Sequence, residues 1–177
     1  MKTKSIKETV REFFFLNPTA QLRVRQASRE VGIPLPSAIR YTRELIKEGL
    51  LKKTGIAGVT LYSADRSSAS FLLEKRIFNL RHLHISGLTS YLVREFSNPP
   101  LVVFGSYARG EDRETSDIDL YLETPSNKRV SLEKFEKTLQ RKVHLFIYKR
   151  IKDVENKELA NNILNGVTLN GFVEVFT

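Results

Sequence analysis

The residues best suited to chemistry lie in one segment, 104–123, with the sequence FGSYARGEDRETSDIDLYLE. Asp117 and Asp119 are one residue apart in an apolar run. Because side chains alternate along a strand, both carboxylates are predicted to share one face, about 7 Å apart. Two such carboxylates can bind one hard cation, and without it their repulsion would favour protonation of one. The pair therefore predicts a Mg²⁺ site, whereas a solvated acidic surface strand is the structural alternative.

The turn before this pair has the composition of a phosphate-binding loop. An apolar run at 101–104, of strand type, is followed by Gly105 and Ser106, and ten residues separate Ser106 from Asp117. Glycine leaves the backbone open to a phosphate, serine offers a hydroxyl, and a short helix through about Arg109 would present N–H groups at its start. Phosphate binding beside a magnesium site is what phosphoryl transfer needs.

The elements that must position these residues predict a mixed sheet. The strand 117–123 is followed by a helix at 131–140, a strand at 142–148, a helix at 156–165 and a final strand near 172–176. Alternation along 142–148 predicts two faces, one with Val143, Leu145 and Ile147 and the other with His144, Phe146 and Tyr148.

The segment 90–177 resembles the DNA polymerase β-like nucleotidyltransferase superfamily, especially its minimal nucleotidyltransferases. The apolar strand, the Gly-Ser pair, the ten-residue interval and the run Ser-Asp-Ile-Asp-Leu at 116–120 carry the resemblance. It implies Mg²⁺-dependent transfer of a nucleoside monophosphate from an NTP, with the metal bound by Asp117 and Asp119. It also implies four residues at the nucleotide phosphates: Gly105, Ser106, Arg109 and Ser116. Arg109 either contacts the phosphates or braces its loop.

The third carboxylate of that family is expected on the strand 142–148, where this chain has His144. An imidazole is a poor ligand for magnesium, but it could act as a general base or bind a softer ion such as Mn²⁺. The departure leaves two interpretations, an active enzyme and a nucleotide sensor.

Residues 1–64 are the predicted N-terminal domain, and about residues 5–64 of it resemble the winged helix-turn-helix of prokaryotic transcription regulators. Helices are predicted at 5–16, where Ser5 and Glu8 have capping-box spacing, at 22–31, and at 37–48 with Ser37 as cap. A hairpin follows at 50–53 and 58–62, with a turn at 54–58. Twelve lysines and arginines against 5 acidic residues give this segment +7 of the chain's net charge of +9. Such a charge is typical either of a polyanion-binding module or of a solvated basic face.

Double-stranded DNA is the predicted partner of this N-terminal domain, although winged helices also serve as protein-docking or dimer interfaces. The residues predicted to contact DNA are Ser37, Arg40, Tyr41, Arg43 and Lys47 on the third helix and Lys52 and Lys53 on the wing. Arg40 is the candidate for base recognition because its guanidinium can bond both acceptors of a guanine.

A helical connector at 65–97 is predicted between this domain and the nucleotidyltransferase domain at 98–177. It contains two helices broken near Gly87. An apolar stripe could bridge the domains or pair with a second chain in a homodimer, and its members are Leu72, Leu73, Ile77, Leu80 and Leu83. His82 and His84 lie beside it and face different directions, so a structural role is favoured for them.

The composition excludes several classes of function. The chain has no cysteine, so disulfides, thiolate metal sites and a cysteine nucleophile are absent. No apolar stretch approaches the ~20 residues of a membrane-spanning helix, and the charged N-terminus does not resemble a secretory signal. A cytoplasmic protein is expected.

The fold class predicted is α+β, and three functions follow from it. The first is a Mg²⁺-dependent nucleotidyltransferase with an unknown acceptor, coupled to DNA binding. The resemblance to the minimal nucleotidyltransferases implies that a partner protein could be this acceptor. The second is a DNA-binding transcription regulator whose impaired transferase domain senses nucleotides. The third is a protein-interaction module built on the stripe of the connector.

Overall fold

The computed structural model describes residues 4–176. The chain divides into two compact units, 1–78 and 79–177. The boundary falls inside one helix, Ala69–Ile85.

Three helices open the first unit: α1 (Ile6–Leu16), α2 (Val24–Val31) and α3 (Leu35–Lys47). The capping box of Ser5 and Glu8 is present, as predicted. The N-cap predicted at Ser37 is wrong, because α3 begins two residues earlier with Pro34 at the N-cap. A second proline, Pro36, lies in the first turn, where N–H groups have no helical partner and proline is tolerated. Ser37 therefore lies inside the helix.

A two-stranded antiparallel hairpin follows, formed by β1 (Leu51–Ile56) and β2 (Val59–Ala64). The turn contracts from the predicted 54–58 to Ala57 and Gly58, which both have positive φ, as a two-residue hairpin turn requires. Leu22 forms an isolated antiparallel bridge with Tyr62. The core of this unit comprises Val10, Phe14, Phe15, Leu45, Leu50, Leu51, Ala64 and Phe71.

The helical segment contains α4 (Ala69–Ile85) and α5 (Leu88–Glu95), separated as predicted at Gly87, whose φ is +81°. The residues of the predicted apolar stripe of α4 differ in their exposure to solvent. Leu73 and Ile77 are exposed, whereas Leu83 is buried. The buried positions of α4 step by four residues from Phe71 through Lys75 and Asn79 to Leu83. Two of these are polar, so hydrophobicity alone could not identify the face.

The second unit is built on a mixed four-stranded sheet in the order β5-β4-β3-β6. Its strands are β3 (Leu101–Phe104), β4 (Ile118–Glu123), β5 (Val143–Tyr148) and β6 (Val167–Asn170). β3 is antiparallel to β4 and β6, and β4 is parallel to β5. The final strand predicted near 172–176 is wrong: the edge of the sheet is taken by β6, and 172–176 has no regular structure.

Helices cover both faces of this sheet, which fixes the direction of its polar residues. On one face, Ile118 and Leu120 of β4 pack with α5 and with α7 (Glu133–Leu139). On the other face, Tyr121 packs with the 3₁₀-helix Ile151–Asp153 and with α8 (Lys157–Leu164). The alternation predicted for β5 is confirmed, because Val143, Leu145 and Ile147 join the first core and Phe146 and Tyr148 join the second.

Within residues 4–176, no helix is both long enough and apolar enough to cross a membrane.

Candidate active site

Gly105 occupies the sharp turn between β3 and α6 (Gly105–Arg109). Its φ of +73° is a conformation that residues with a Cβ rarely adopt. A Cβ built here would lie 2.7 Å from Oδ2 of Asp119. Glycine thus allows the turn to approach the carboxylate closely, so the predicted phosphate position lies directly beside the predicted metal position.

The two aspartates lie at the start of β4, next to this turn. Asp119 is in register with Phe104, the last residue of β3, and Asp117 precedes β4 by one residue. Their side chains are 28% and 39% exposed, so a ligand from solvent can reach both. Burial raises the pKa of Asp119, repulsion from Asp117 adds to the increase, and His144 opposes it. Negative charge is therefore disfavoured at Asp119, and a bound cation would relieve this cost.

His144 lies on the neighbouring strand, in register with Asp119. Its Nδ1 is 3.7 Å from Oδ1 of Asp119, and its Nε2 is 3.6 Å from Oδ2 of Asp117. Both distances exceed a normal hydrogen bond, but they place one imidazole against both carboxylates. The structure thus brings together the three residues that sequence predicts as catalytic.

The donors at this site fit a magnesium ion that shares its coordination with a substrate. Magnesium commonly binds one or two carboxylates and takes its other ligands from phosphates and water. Among residues 4–176, no group of three or more histidines, cysteines, aspartates and glutamates has the arrangement of a complete protein metal site. Asp117 and Asp119 would accordingly hold the ion together with nucleotide phosphates at Gly105.

The other predicted phosphate contacts have structural roles as well. Arg109 Nε lies 2.7 Å from Oε2 of Glu111, and both side chains are exposed. This ion pair within the loop favours the interpretation that Arg109 braces the loop. Ser116 Oγ accepts a hydrogen bond from the N–H of Arg113. The carbonyl of Ser106 accepts the N–H of Glu111. These bonds hold the loop 106–116 that leads to Asp117.

A cleft of about 570 Å³ opens beside Asp117, between the segment 114–117 and the α7 region up to the start of β5. We call it the β4–β5 cleft. Every residue that lines it is polar or charged, including Thr115, Lys137, Arg141 and Lys142. Sequence reasoning missed these residues, because single charges on a helix and in a loop are typical of ordinary solvated surface.

A buried polar network supports the loop from behind. Asn79 Nδ2 donates to the carbonyl of Tyr107 at 2.8 Å and to Oδ1 of Asp112 at 2.7 Å. Tyr107 OH donates back to the carbonyl of Asn79 at 3.2 Å. Asp112 Oδ2 also lies 4.0 Å from Nη2 of Arg141, which lines the cleft. Helix α4, the loop and the β4–β5 cleft are therefore connected through buried side chains.

The residues predicted to contact DNA differ in how far solvent reaches them and in what holds them. Arg43, Lys47 and Lys53 are exposed, and Ser37 and Tyr41 are partly buried. Arg40 Nε is 2.9 Å from Oε1 of Glu44, and its guanidinium lies 5.3 Å from the centre of the Tyr41 ring. Lys52 lies 3.9 Å from Asp65. Arg40, the predicted base-reading residue, is thus held by its own helix.

Comparison with known families agrees with this geometry. Residues 85–169 match the family model described as nucleotidyltransferase domain, which confirms that part of the predicted resemblance and supports nucleotidyl transfer as the general chemistry. No curated protein and no solved structure gives a significant match.

Proposed function

We propose that the region 85–169, which matches the nucleotidyltransferase family model, moves a nucleoside monophosphate from a Mg²⁺-bound NTP to an acceptor hydroxyl. The close approach of Gly105 to Asp119 carries this proposal. The approach places the open backbone of a turn, which can bind phosphate, beside carboxylate oxygens, which can bind magnesium.

The residues have distinct roles in the proposed reaction. Gly105 and Ser106 hold the β- and γ-phosphates. Asp117 and Asp119 would hold the ion, which when bound would neutralise charge that develops on the phosphates. The acceptor oxygen bonds to the α-phosphorus as the bond to the pyrophosphate oxygen breaks. His144, in contact with both aspartates, accepts the proton that the hydroxyl loses. Mn²⁺ is the alternative ion, because it tolerates an imidazole ligand better.

DNA binding by the first unit is the second part of the proposal. Three helices, a hairpin and the Leu22–Tyr62 bridge follow the order of a winged helix-turn-helix. The exposed side chains of Arg43 and Lys47 on α3 would contact DNA phosphates, and Lys53 would extend the contact to the hairpin. Two copies of the chain would bind paired half-sites, by analogy with regulators of this fold.

Transfer of label from an α-³²P-labelled NTP, measured together with pyrophosphate release, tests the enzymatic part. Wild type is expected to release pyrophosphate with Mg²⁺, and Asp117→Ala to lose this activity. Glu155→Ala removes an exposed acid outside the site and should behave as wild type. Equal activity in wild type and Asp117→Ala would refute the assignment.

His144 also favours a second candidate function, a regulator that binds nucleotide without turnover. It stands in register with Asp119, at the position where the resemblance to the family implies a third carboxylate. This candidate predicts tight binding of Mg²⁺ and NTP with no pyrophosphate release by wild type. Pyrophosphate release from wild type would exclude it.

A further inference from the structure

The β4–β5 cleft and the Gly105 turn lie on opposite flanks of β4. In the strand order β5-β4-β3-β6, β3 carries Gly105 at its end on one side of β4. On the other side, Arg141 and Lys142 precede β5 and line the cleft. A backbone hydrogen bond of 2.8 Å from Ile118 N–H to the Lys142 carbonyl fixes that second flank against the start of β4.

This placement matters because nucleotidyl transfer is an in-line displacement. The attacking and leaving oxygens lie on opposite sides of the α-phosphorus. If the pyrophosphate leaves on the Gly105 side, the acceptor oxygen must approach from the β5 side. Two residues lie on that approach. Asp117 lines the cleft, and His144, on β5, lies beside Asp117.

We propose that the β4–β5 cleft binds the acceptor, and that this acceptor is a hydrophilic molecule with a hydroxyl flanked by groups of both charge signs. The inference rests on the proposed transfer reaction, in which the acceptor oxygen bonds to the α-phosphorus and the bond to the pyrophosphate oxygen breaks. It assigns a substrate class to a cleft that the predicted catalytic residues do not explain.

The charges of the residues that line the β4–β5 cleft determine the class of acceptor that it can bind. Both charge signs line the cleft: the acidic residues are Glu114, Asp117, Glu133 and Glu136, and the basic ones are Lys137, Arg141 and Lys142. Lys142 Nζ lies 3.1 Å from Oε2 of Glu136. Glu136 also accepts the N–H of Val143, so the wall is fixed to the start of β5. No aromatic side chain lines the cleft, so it offers no platform for stacking a nucleobase. Lys137 is exposed and lines the cleft, where its ammonium group would bind an acidic group of the acceptor.

Amide chemical shifts of the ¹⁵N-labelled full chain test the proposal without requiring turnover. Three probes are added separately: α,β-methylene ATP with Mg²⁺, free L-serine, and a capped tripeptide with serine between lysine and glutamate. The nucleotide is expected to shift residues 105–110 and 117–119. The serine-containing probes are expected to shift 115–117 and 137–142. A footprint from L-serine alone identifies a small-molecule acceptor, and one from the peptide alone identifies a protein side chain.

Lys137→Glu should weaken binding of the effective probe by about three- to fivefold, as expected for an exposed charge, and leave nucleotide binding unchanged. Lys152→Glu, at an exposed lysine outside the cleft, is the matched control. The proposal is overturned if neither serine probe shifts the cleft, or if the nucleotide shifts 137–142. Absence of any nucleotide footprint would instead refute the proposed transfer reaction, and the acceptor assignment would fall with it.

Discussion

Gly105 and Asp119 approach so closely that a Cβ on the glycine would lie 2.7 Å from the Oδ2 atom of the aspartate. Two constraints coincide at this glycine, a positive φ and the lack of space for a side chain. The second constraint exists only because a carboxylate faces the turn. A side chain at this position therefore has a structural cost, from the positive φ, and a separate functional cost, from displacement of the carboxylate.

Gly105→Ala is expected to abolish stabilisation by Mg²⁺ and NTP, because the new methyl group must displace the Asp119 carboxylate. Gly32→Ala is the matched control: Gly32 has a φ of +70° and nothing within 4 Å of its Cβ position. Both substitutions should cost about 1–2 kcal/mol of backbone strain. Thermal melting with and without Mg²⁺ and NTP measures both effects, and an equal ligand response in the two variants would contradict the placement of phosphates at Gly105.

Asp119→Asn is expected to raise the melting temperature of the metal-free protein while removing its response to Mg²⁺. The pKa of Asp119 is raised above its ordinary 3.8, chiefly by burial. Ionisation is therefore less favourable in the folded protein than in the unfolded chain, and the charged carboxylate lowers the free energy of unfolding above the folded pKa. This cost disappears as the pH falls through the folded pKa towards 3.8.

The gain in melting temperature from Asp119→Asn should accordingly shrink on acidification from neutral pH. Melting curves recorded from pH 7 down to pH 4 give the comparison. A gain that stays constant, or grows, as the pH falls would show that the ionised carboxylate is not the source of the instability.

His144→Asp is expected to increase the affinity for Mg²⁺ in the presence of NTP by about tenfold or more, the scale of changes near metal ligands. A carboxylate oxygen is a better magnesium ligand than an imidazole nitrogen. His84→Asp makes the same change at an exposed position on α4. Titration of Mg²⁺ against a fluorescent NTP measures the effect. Equal affinities in the two variants would place His144 out of reach of the ion.

The sequence predicted the geometry of Asp117, Asp119 and His144 because strand alternation is local. Residues two apart in extended backbone face the same way, which predicts a shared face for Asp119 in β4 and Asp117 just before it. A helix between two strands suits the parallel pairing that sets His144 beside Asp119. The final strand predicted near 172–176 is wrong because composition alone does not identify the segment that occupies the edge of the sheet. The segment 172–176, with the sequence FVEVF, has strand-like composition. The sheet edge is instead occupied by Val167–Asn170, just after Gly166, whose lack of a side chain permits close packing against β3.

The supporting network could not be predicted, because its members are polar and far apart in the chain. Asn79 and Asp112 are separated by 33 positions, and nothing in either local sequence marks them as buried. The same limit applies to α4, where Lys75 and Asn79 occupy buried positions that a hydrophobic pattern assigns to solvent. Burial of polar residues depends on partners that only the tertiary structure brings together.

Removal of Arg43 or Lys47 is expected to weaken binding to double-stranded DNA and to reduce the salt slope by about 1 for each phosphate that is no longer neutralised. Glu44→Gln should strengthen binding, because it removes an acidic group and releases Arg40, whose Nε lies 2.9 Å from Glu44. Lys152→Ala controls for removal of an exposed positive charge elsewhere. Fluorescence anisotropy at several salt concentrations measures each slope. Slopes that do not change would locate any DNA contact away from α3.

Gly166→Ala is expected to destabilise the second unit without a direct effect on ligand binding. A Cβ at Gly166 would lie 2.6 Å from the Val103 carbonyl oxygen and 2.6 Å from Cγ1 of Val102, so β6 would have to move away from β3. Overpacking of this kind costs about 1–3 kcal/mol. Gly55→Ala in β1, with nothing within 4 Å of its Cβ position, should have little effect. Urea unfolding of the two variants measures the difference, and equal midpoints would show that the packing of β6 against β3 is looser than these distances require.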